Sequence, residues 1–173
     1  MSDLRFLSLE TARADGGFAP ERRSPLDRAL AEVDGLGIED LSLSTGKLEV
    51  RGDLSGLEAN GFELFEITPH RGLVFCAYGD VGPVRQKLRE QFLTIDLTGA
   101  LAGVRIDRPD GETLVRRVTD LDLDALPAVG ALAHVQAYVL RDGEVFRLFF
   151  PQEYGHYVAE VILDAAEGLE ERP

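Results

Sequence analysis

The chain has 173 residues, 45% hydrophobic and 28% charged, enough for one domain or two small fused ones that fold without metal or disulfide support. Its formal net charge of -13 argues against nucleic acid and anionic membrane surfaces as partners, and leaves open either a basic partner surface or a purely solubilising role. One cysteine, Cys76, allows no intramolecular disulfide and fits a reducing cytoplasm; no apolar run reaches the ~18 residues of a membrane span, and the Met1-Ser2-Asp3-Leu4-Arg5 start gives no expectation of a signal peptide.

Arg5 to Ser8 reads as a short strand and residues 1–23 as a mobile lead-in. Order is expected from Ser24, which suits a helix N-cap, with Pro25 at the first helical position and Leu26, Ala29, Leu30 and Val33 at helical spacing before Gly35. Leu41 and Leu43 alternate with Ser42 and Ser44; Leu48 and Val50 alternate with Lys47, Glu49 and Arg51, which are expected to face out. Thr45-Gly46 reads as the turn between these strands. A helical or loop segment over 54–60 leads to a strand pair, Phe62–Ile67 and Leu73–Tyr78, joined across Pro69–Gly72. Asp80 then caps a helix with Val81, Val84, Leu88 and Phe92 on one side.

The order repeats. Ile95 and Leu97 belong to one strand, and Val104 and Ile106 to another. Asp110 caps a helix bearing Leu114, Val115 and Val118, with Glu112 and Arg116 four residues apart. Val135–Leu140 and Val145–Phe150 form a strand pair around Arg141-Asp142-Gly143, and a last helix follows from Tyr154 to Ala165. Ile38–Ser42 matches Thr94–Thr98 at an offset of 56; Leu73–Tyr78 matches Val145–Phe150 at 72. The expected fold is therefore α+β: two pseudo-repeated ββαββα halves, 24–92 and 93–167, with mainly antiparallel sheets, helices packed on them, and a charged tail over 168–173. One face of each sheet would take helices; the other would stay wet or pack against something.

No motif in the sequence carries independent catalysis. Asp34-Gly35-Leu36-Gly37 lacks the third glycine and the preceding strand of a dinucleotide loop. Asp120, Asp122 and Asp124 alternate as in a calcium loop, but Ala125 and Ala131 stand where the glycine and distal glutamate belong. His156 and Glu160 share a helix face without a third ligand; His70 and His134 have no triad partners. Cys76 lies in an apolar stretch and reads as an inert thiol. Tyr154 and Tyr157, beside Phe146, Phe149 and Phe150, read as core packing ahead of a ligand-pocket floor.

Asp96-Leu97-Thr98, Val104-Arg105-Ile106, Arg108-Pro109-Asp110, Leu114, Thr119-Asp120-Leu121-Asp122 and Gly130 together resemble the opening of the glycine-cleavage T-protein superfamily. Its members bind folate in related α/β halves. Ser24-Pro25-Leu26 and the strand Lys47-Leu48-Glu49-Val50-Arg51-Gly52 are more similar to one branch, the gamma subunit of heterotetrameric sarcosine oxidase, and the resemblance spans roughly 22 to 166. The paired aspartates that follow the equivalent of Gly130 in the T-protein are missing, Ala131-Leu132-Ala133-His134 running straight on. With the sequence running to Pro173, no aminomethyltransferase barrel is expected of this chain, and the cysteine motif of the related iron-sulfur maintenance proteins does not occur in it. The resemblance implies a non-catalytic accessory subunit of a sarcosine-oxidase-type complex, with flavin and NAD on partner subunits. One alternative is a stand-alone folate-binding protein, with tetrahydrofolate in the groove between halves met by Arg105, Tyr138 or Arg147. Another is a self-associating structural protein.

Overall fold

The computed structural model describes residues 23–31 and 35–170. The expected strand over Arg5–Ser8, the rest of the lead-in to residue 22 and Val33 lie outside them. In chain order come helix α1 (Asp27–Leu30) and strands β1 (Ile38–Asp40), β2 (Thr45–Arg51), β3 (Glu63–Thr68) and β4 (Arg71–Ala77). Helix α2 (Val81–Arg89), strands β5 (Leu93–Asp96) and β6 (Leu101–Ile106) and helix α3 (Gly111–Val118) follow. Strands β7 (Ala128–Leu132), β8 (Val135–Asp142) and β9 (Val145–Pro151) and helix α4 (Gly155–Glu170) complete the fold. The architecture is α+β, with two sheets in which every pairing is antiparallel: β1-β6-β9-β8-β7 and β3-β4-β2-β5.

The repeat is visible in three dimensions, and the halves interlock. β1, from the first half, pairs with β6 of the second; β5, from the second half, pairs with β2 of the first. The cross-bonds obey the 56-residue offset. Leu41 donates its amide to the Gly103 carbonyl at 2.8 Å, as Leu97 does to the Lys47 carbonyl at 2.9 Å. Ser42 Oγ accepts the Gly103 amide at 3.1 Å; Thr98 Oγ1 accepts the Lys47 amide, also at 3.1 Å. Downstream the offset is 74 rather than 72: Arg71–Ala77 maps onto Val145–Pro151, and Val81 onto Gly155. The halves differ in the middle. Residues 52–62 are irregular, whereas the second half carries α3 and the extra edge strand β7, which has no counterpart in the expected pattern.

Three apolar clusters define four layers. One lies between α1, α3, α4 and the five-stranded sheet, centred on Phe146, Leu148, Phe150, Val158 and Ile162. A second lies between α2 and the four-stranded sheet, with Leu48, Val50, Val74 and Leu88. The third joins the sheets face to face through Phe65, Leu73, Phe75, Leu140 and Phe149. Alternation sorts β9 between layers: Phe146, Leu148 and Phe150 face the helices, while Phe149 faces the other sheet and stacks on Phe75 at 4.4 Å between ring centroids. The sheet face expected to stay wet or find cover is covered by the other sheet.

This closure corrects several expectations. Lys47 and Glu49 do not face out: both are buried, 0% and 4% exposed, because the second sheet covers the polar side of β2. Leu41–Ser44 is a turn rather than a strand, and Thr45-Gly46 starts β2. α1 is four residues long. Ser24 does not cap it; its Oγ accepts the Leu26 amide at 3.0 Å and donates to Asp40. Asp80 and Asp110 precede α2 and α3 without side-chain cap bonds. The β8–β9 turn is Gly143-Glu144, and α4 continues through Glu170 into the expected tail. Tyr154 and Tyr157 lie outside the core, 47% and 45% exposed. Among the described residues, no helix is long and apolar enough to cross a membrane.

Candidate functional site

The seam between the sheets gathers the buried charge of the molecule. Lys47 Nζ donates to the Ser42 carbonyl at 2.9 Å and lies 6.0 Å from the Phe149 ring centroid. Glu49 accepts from Arg51 at 2.5 Å and from Arg71 at 2.8 Å. Burial alone would raise the Glu49 carboxyl, but the hydrogen bonds and charges of Arg71 and Arg51 outweigh it and hold the group below its ordinary value. Arg71 Nε is buried without a hydrogen-bond partner. The tyrosine hydroxyl of Tyr138 is pushed up, chiefly by burial.

Arg105, Tyr138 and Arg147 all sit in the five-stranded sheet. Arg105 and Arg147 are directly opposite each other on β6 and β9, and Tyr138 opposes Phe149 on β8. Each is engaged by protein. Arg105 pairs with Asp107 at 2.6 Å and Glu39 at 3.4 Å. Arg147 forms a bidentate pair with Glu63 of the other sheet. Tyr138 meets the Phe65 ring edge-on at 6.4 Å between centroids. The contacts of Tyr138 and Arg147 fasten one sheet to the other, whereas those of Arg105 stay within its own sheet and the residue just past β6. Beside Arg147 opens a cavity of about 490 Å³ lined by Phe62, Glu63, Phe75 and Cys76. Burial raises the Cys76 thiol, with the charges of Asp80 and Asp96 adding to the effect.

The larger concavity, about 760 Å³, was not anticipated. It lies between the start of α2 and the β5–β6 turn, bounded by Tyr78, Gly79, Val81, Gly82, Asp96, Thr98, Gly99 and Gln152. The sequence did hold a signal: Asp40-Leu41-Ser42 recurs as Asp96-Leu97-Thr98. In both copies the carboxylate accepts the amide two residues on, Ser42 at 2.7 Å and Thr98 at 3.0 Å. The free oxygen of Asp40 then takes Ser24, while that of Asp96 takes Arg85 at 3.3 Å.

The other polar features resolve into local structure. Asp122 accepts the Asp124 amide at 3.1 Å in a short 3-10 turn. His156 and Glu160 pair at 3.2 Å on the exposed side of α4. His70 lies in the β3–β4 turn, and His134 in the β7–β8 turn with a φ of 65° beside Ala133 at 48°. Among the described residues, no three metal-ligating side chains converge.

No protein-family model matches the sequence, and no curated protein matches it. Solved structures do match. A chain of the heterotetrameric sarcosine oxidase from Corynebacterium sp. U-96, in complex with pyrrole 2-carboxylate, superposes with a TM-score of 0.71 at 14% identity, over 88% of this chain and 98% of that one. The ligand-free regulatory subunit of aspartate kinase from Thermus thermophilus gives a TM-score of only 0.46 at 12% identity, over 75% and 97% of the two chains. At such identities the first likeness speaks to the fold: the two-sheet α+β architecture is that of a chain found in a sarcosine oxidase heterotetramer.

Proposed function

We propose that this chain is an accessory subunit, gamma-like, of a heteromeric flavoenzyme complex of the sarcosine-oxidase type, with flavin and NAD held by its partners and its own role the stabilisation of the assembly. The observation that carries the reading is the match of nearly a whole chain of that heterotetramer to nearly the whole of this one. The fold agreement extends the sequence resemblance of Ser24-Pro25-Leu26 and Lys47–Gly52 to the same assembly. The inter-sheet groove supports a scaffolding role, because Tyr138 and Arg147 are committed to joining the sheets and Arg105 to ion pairs beside its own strand. The net charge of -13 suits a basic partner surface. Co-expression with candidate flavin-binding amine oxidase subunits, followed by gel filtration with light scattering, tests the proposal. Co-elution at a defined stoichiometry is the expected result; separate elution of this chain from every candidate at micromolar concentration overturns it.

A further inference from the structure

The two sheets follow one plan, and one of them is a strand short. By the offset of 74 between β4 and β9, β3 corresponds to β8: Leu64 lies opposite Val74 as Val139 lies opposite Leu148. The outer edge of β8 is paired by β7, from Leu132 opposite Val135 to Ala128 opposite Val139. The outer edge of β3 ends the four-stranded sheet. The connections account for the difference. Residues 107–134, between β6 and β8, are long enough to supply both α3 and β7, whereas residues 52–62, between β2 and β3, supply neither.

The alternation of antiparallel bonds fixes which backbone groups this leaves open. Tyr78 donates its amide to the Ser44 carbonyl at 2.8 Å, which sets Gly72, Val74 and Cys76 of β4 toward β2, and Leu73 and Phe75 toward β3. Leu73 and Phe75 oppose Phe65 and Glu63. The amides and carbonyls of Phe62, Leu64 and Glu66 therefore point away from the sheet, and among the described residues none of them has a hydrogen-bond partner on that side. At six residues β3 is also longer than the other edge strands, β1, β5 and β7. An open row of this length is a ready template for another strand.

The pairing of β7 with β8 shows what such a strand carries. It places small apolar residues, Ala128 opposite Val139 and Gly130 opposite Ala137. The corresponding positions on the open edge are Leu64, half-buried, and Phe62, so small apolar side chains fit opposite both. The two edges differ in charge. The counterpart of Arg141 is Glu66, which is exposed and has no cation beside it among the described residues, while Glu63 is already held by Arg147. A basic residue belongs opposite Glu66, because unlike charges across a strand pair stabilise it and like charges oppose it. A second copy of this chain fits poorly. Antiparallel pairing of two β3 strands about Leu64 sets Glu66 against Phe62 and joins two chains that each carry a net charge of -13.

We propose that a strand of a partner subunit adds to the outer edge of β3 as the fifth strand of this sheet, antiparallel, with a basic residue opposite Glu66 and small apolar residues opposite Leu64 and Phe62. That the partner is a subunit rests on the function proposed above; the open edge rests on the repeat and the strand register. Two measurements separate these. In the first, a peptide copying residues 126–132, with lysine for Leu126 and threonine for Pro127, is titrated to millimolar concentration into the isotopically labelled chain. The register of β7 places its lysine opposite Glu66. Amide shifts are expected at 62–66. Binding should be lost in Leu64→Pro, which removes an outward amide and spares the β3–β4 bonds, and should be roughly fivefold weaker in Glu66→Lys. Circular dichroism checks that both variants fold; should Leu64→Pro unfold, Glu66→Lys decides alone. No shifts at 62–66, or unchanged affinity in Glu66→Lys, overturns the edge. In the second, hydrogen exchange of the purified complex is compared with the free chain at single amides: slowing at Leu64 and Glu66 supports the inference. A complex that leaves both amides exchanging as in the free chain overturns it while the subunit reading stands. Concentration-dependent slowing of the same amides in the free chain means that a second copy pairs there, and overturns the partner assignment. If no complex forms, the subunit reading and the partner assignment fail together, and the peptide titration alone decides whether the edge accepts a strand.

Discussion

Gly103→Ala probes how the two sheets are held apart. Gly103 faces the seam directly opposite Phe149 in the β6–β9 register. A Cβ there would lie 2.7 and 2.8 Å from two Phe149 ring carbons and 3.2 Å from Leu41 Cβ, against the 3.5–4.0 Å at which carbon contacts turn favourable. The ring has no easy retreat, since Phe75 stacks on it at 4.4 Å and Phe149 is fully buried. Overpacking of this kind costs about 1–3 kcal/mol, and for a domain of this size each kcal/mol lowers Tm by about 2–4 °C. Phe149→Leu alone should cost roughly 1–2 kcal/mol by leaving a partial cavity. The double variant should lose at least about 1 kcal/mol less than the sum, because the smaller side chain accommodates the new methyl. Urea unfolding followed by circular dichroism, with m-values compared across the four proteins, measures the cycle. A Gly103→Ala protein within about 0.5 kcal/mol of the parent, or strict additivity in the double variant, would refute the seam packing described here.

Four further outcomes are expected. Glu49→Gln should lose about 1–2 kcal/mol near pH 7, less than a fully enclosed ion pair, because Arg51 and Arg71 keep 51% and 41% of their side chains exposed. Since the folded-state pKa of Glu49 is depressed, its contribution is present above the unfolded pKa and fades as pH falls through the folded one. The gap between Glu49→Gln and parent should therefore close in strongly acidic buffer, and a gap that widens there would contradict the assignment. Gly82→Ala should raise stability by roughly 0.5–1 kcal/mol, its methyl meeting open space in the first turn of α2; a thermal melt reads it. Cys76 should react with a thiol reagent at neutral pH far more slowly than a free cysteine, its thiol being raised by burial, and at the free rate once unfolded in urea; equal rates would show the site open. A double-mutant cycle between Arg147 and Glu63 should give under about 1 kcal/mol of coupling, shrinking with salt, since Glu63 is 57% exposed.

Local pattern determined much of this protein from the sequence alone. The strands around Leu48, Leu73, Val104, Val135 and Val145, the helices after Asp80, Asp110 and Tyr154, and the duplicated order were all legible, because alternation and helical spacing record which side chains need burial. The Glu112–Arg116 pair was legible for the same local reason and closes at 2.8 Å. What lay beyond reach depends on residues far apart in the chain. Nothing local tells β1 and β5 to exchange sheets, since that choice is made by cross-bonds such as Leu41 to Gly103. The alternation of Lys47 and Glu49 with Leu48 and Val50 reads the same whether the polar side meets water or another sheet; only the stacking of the sheets decides that Lys47 lies against Phe149, and only the β2–β4 pairing that Glu49 meets Arg71. The repeated Asp-Leu-Ser and Asp-Leu-Thr could be seen as a pair of turns. That one holds the chain's own Ser24 while the other borders a glycine-lined cleft was decided by tertiary structure, because a cavity belongs to the space between elements and to none of them singly.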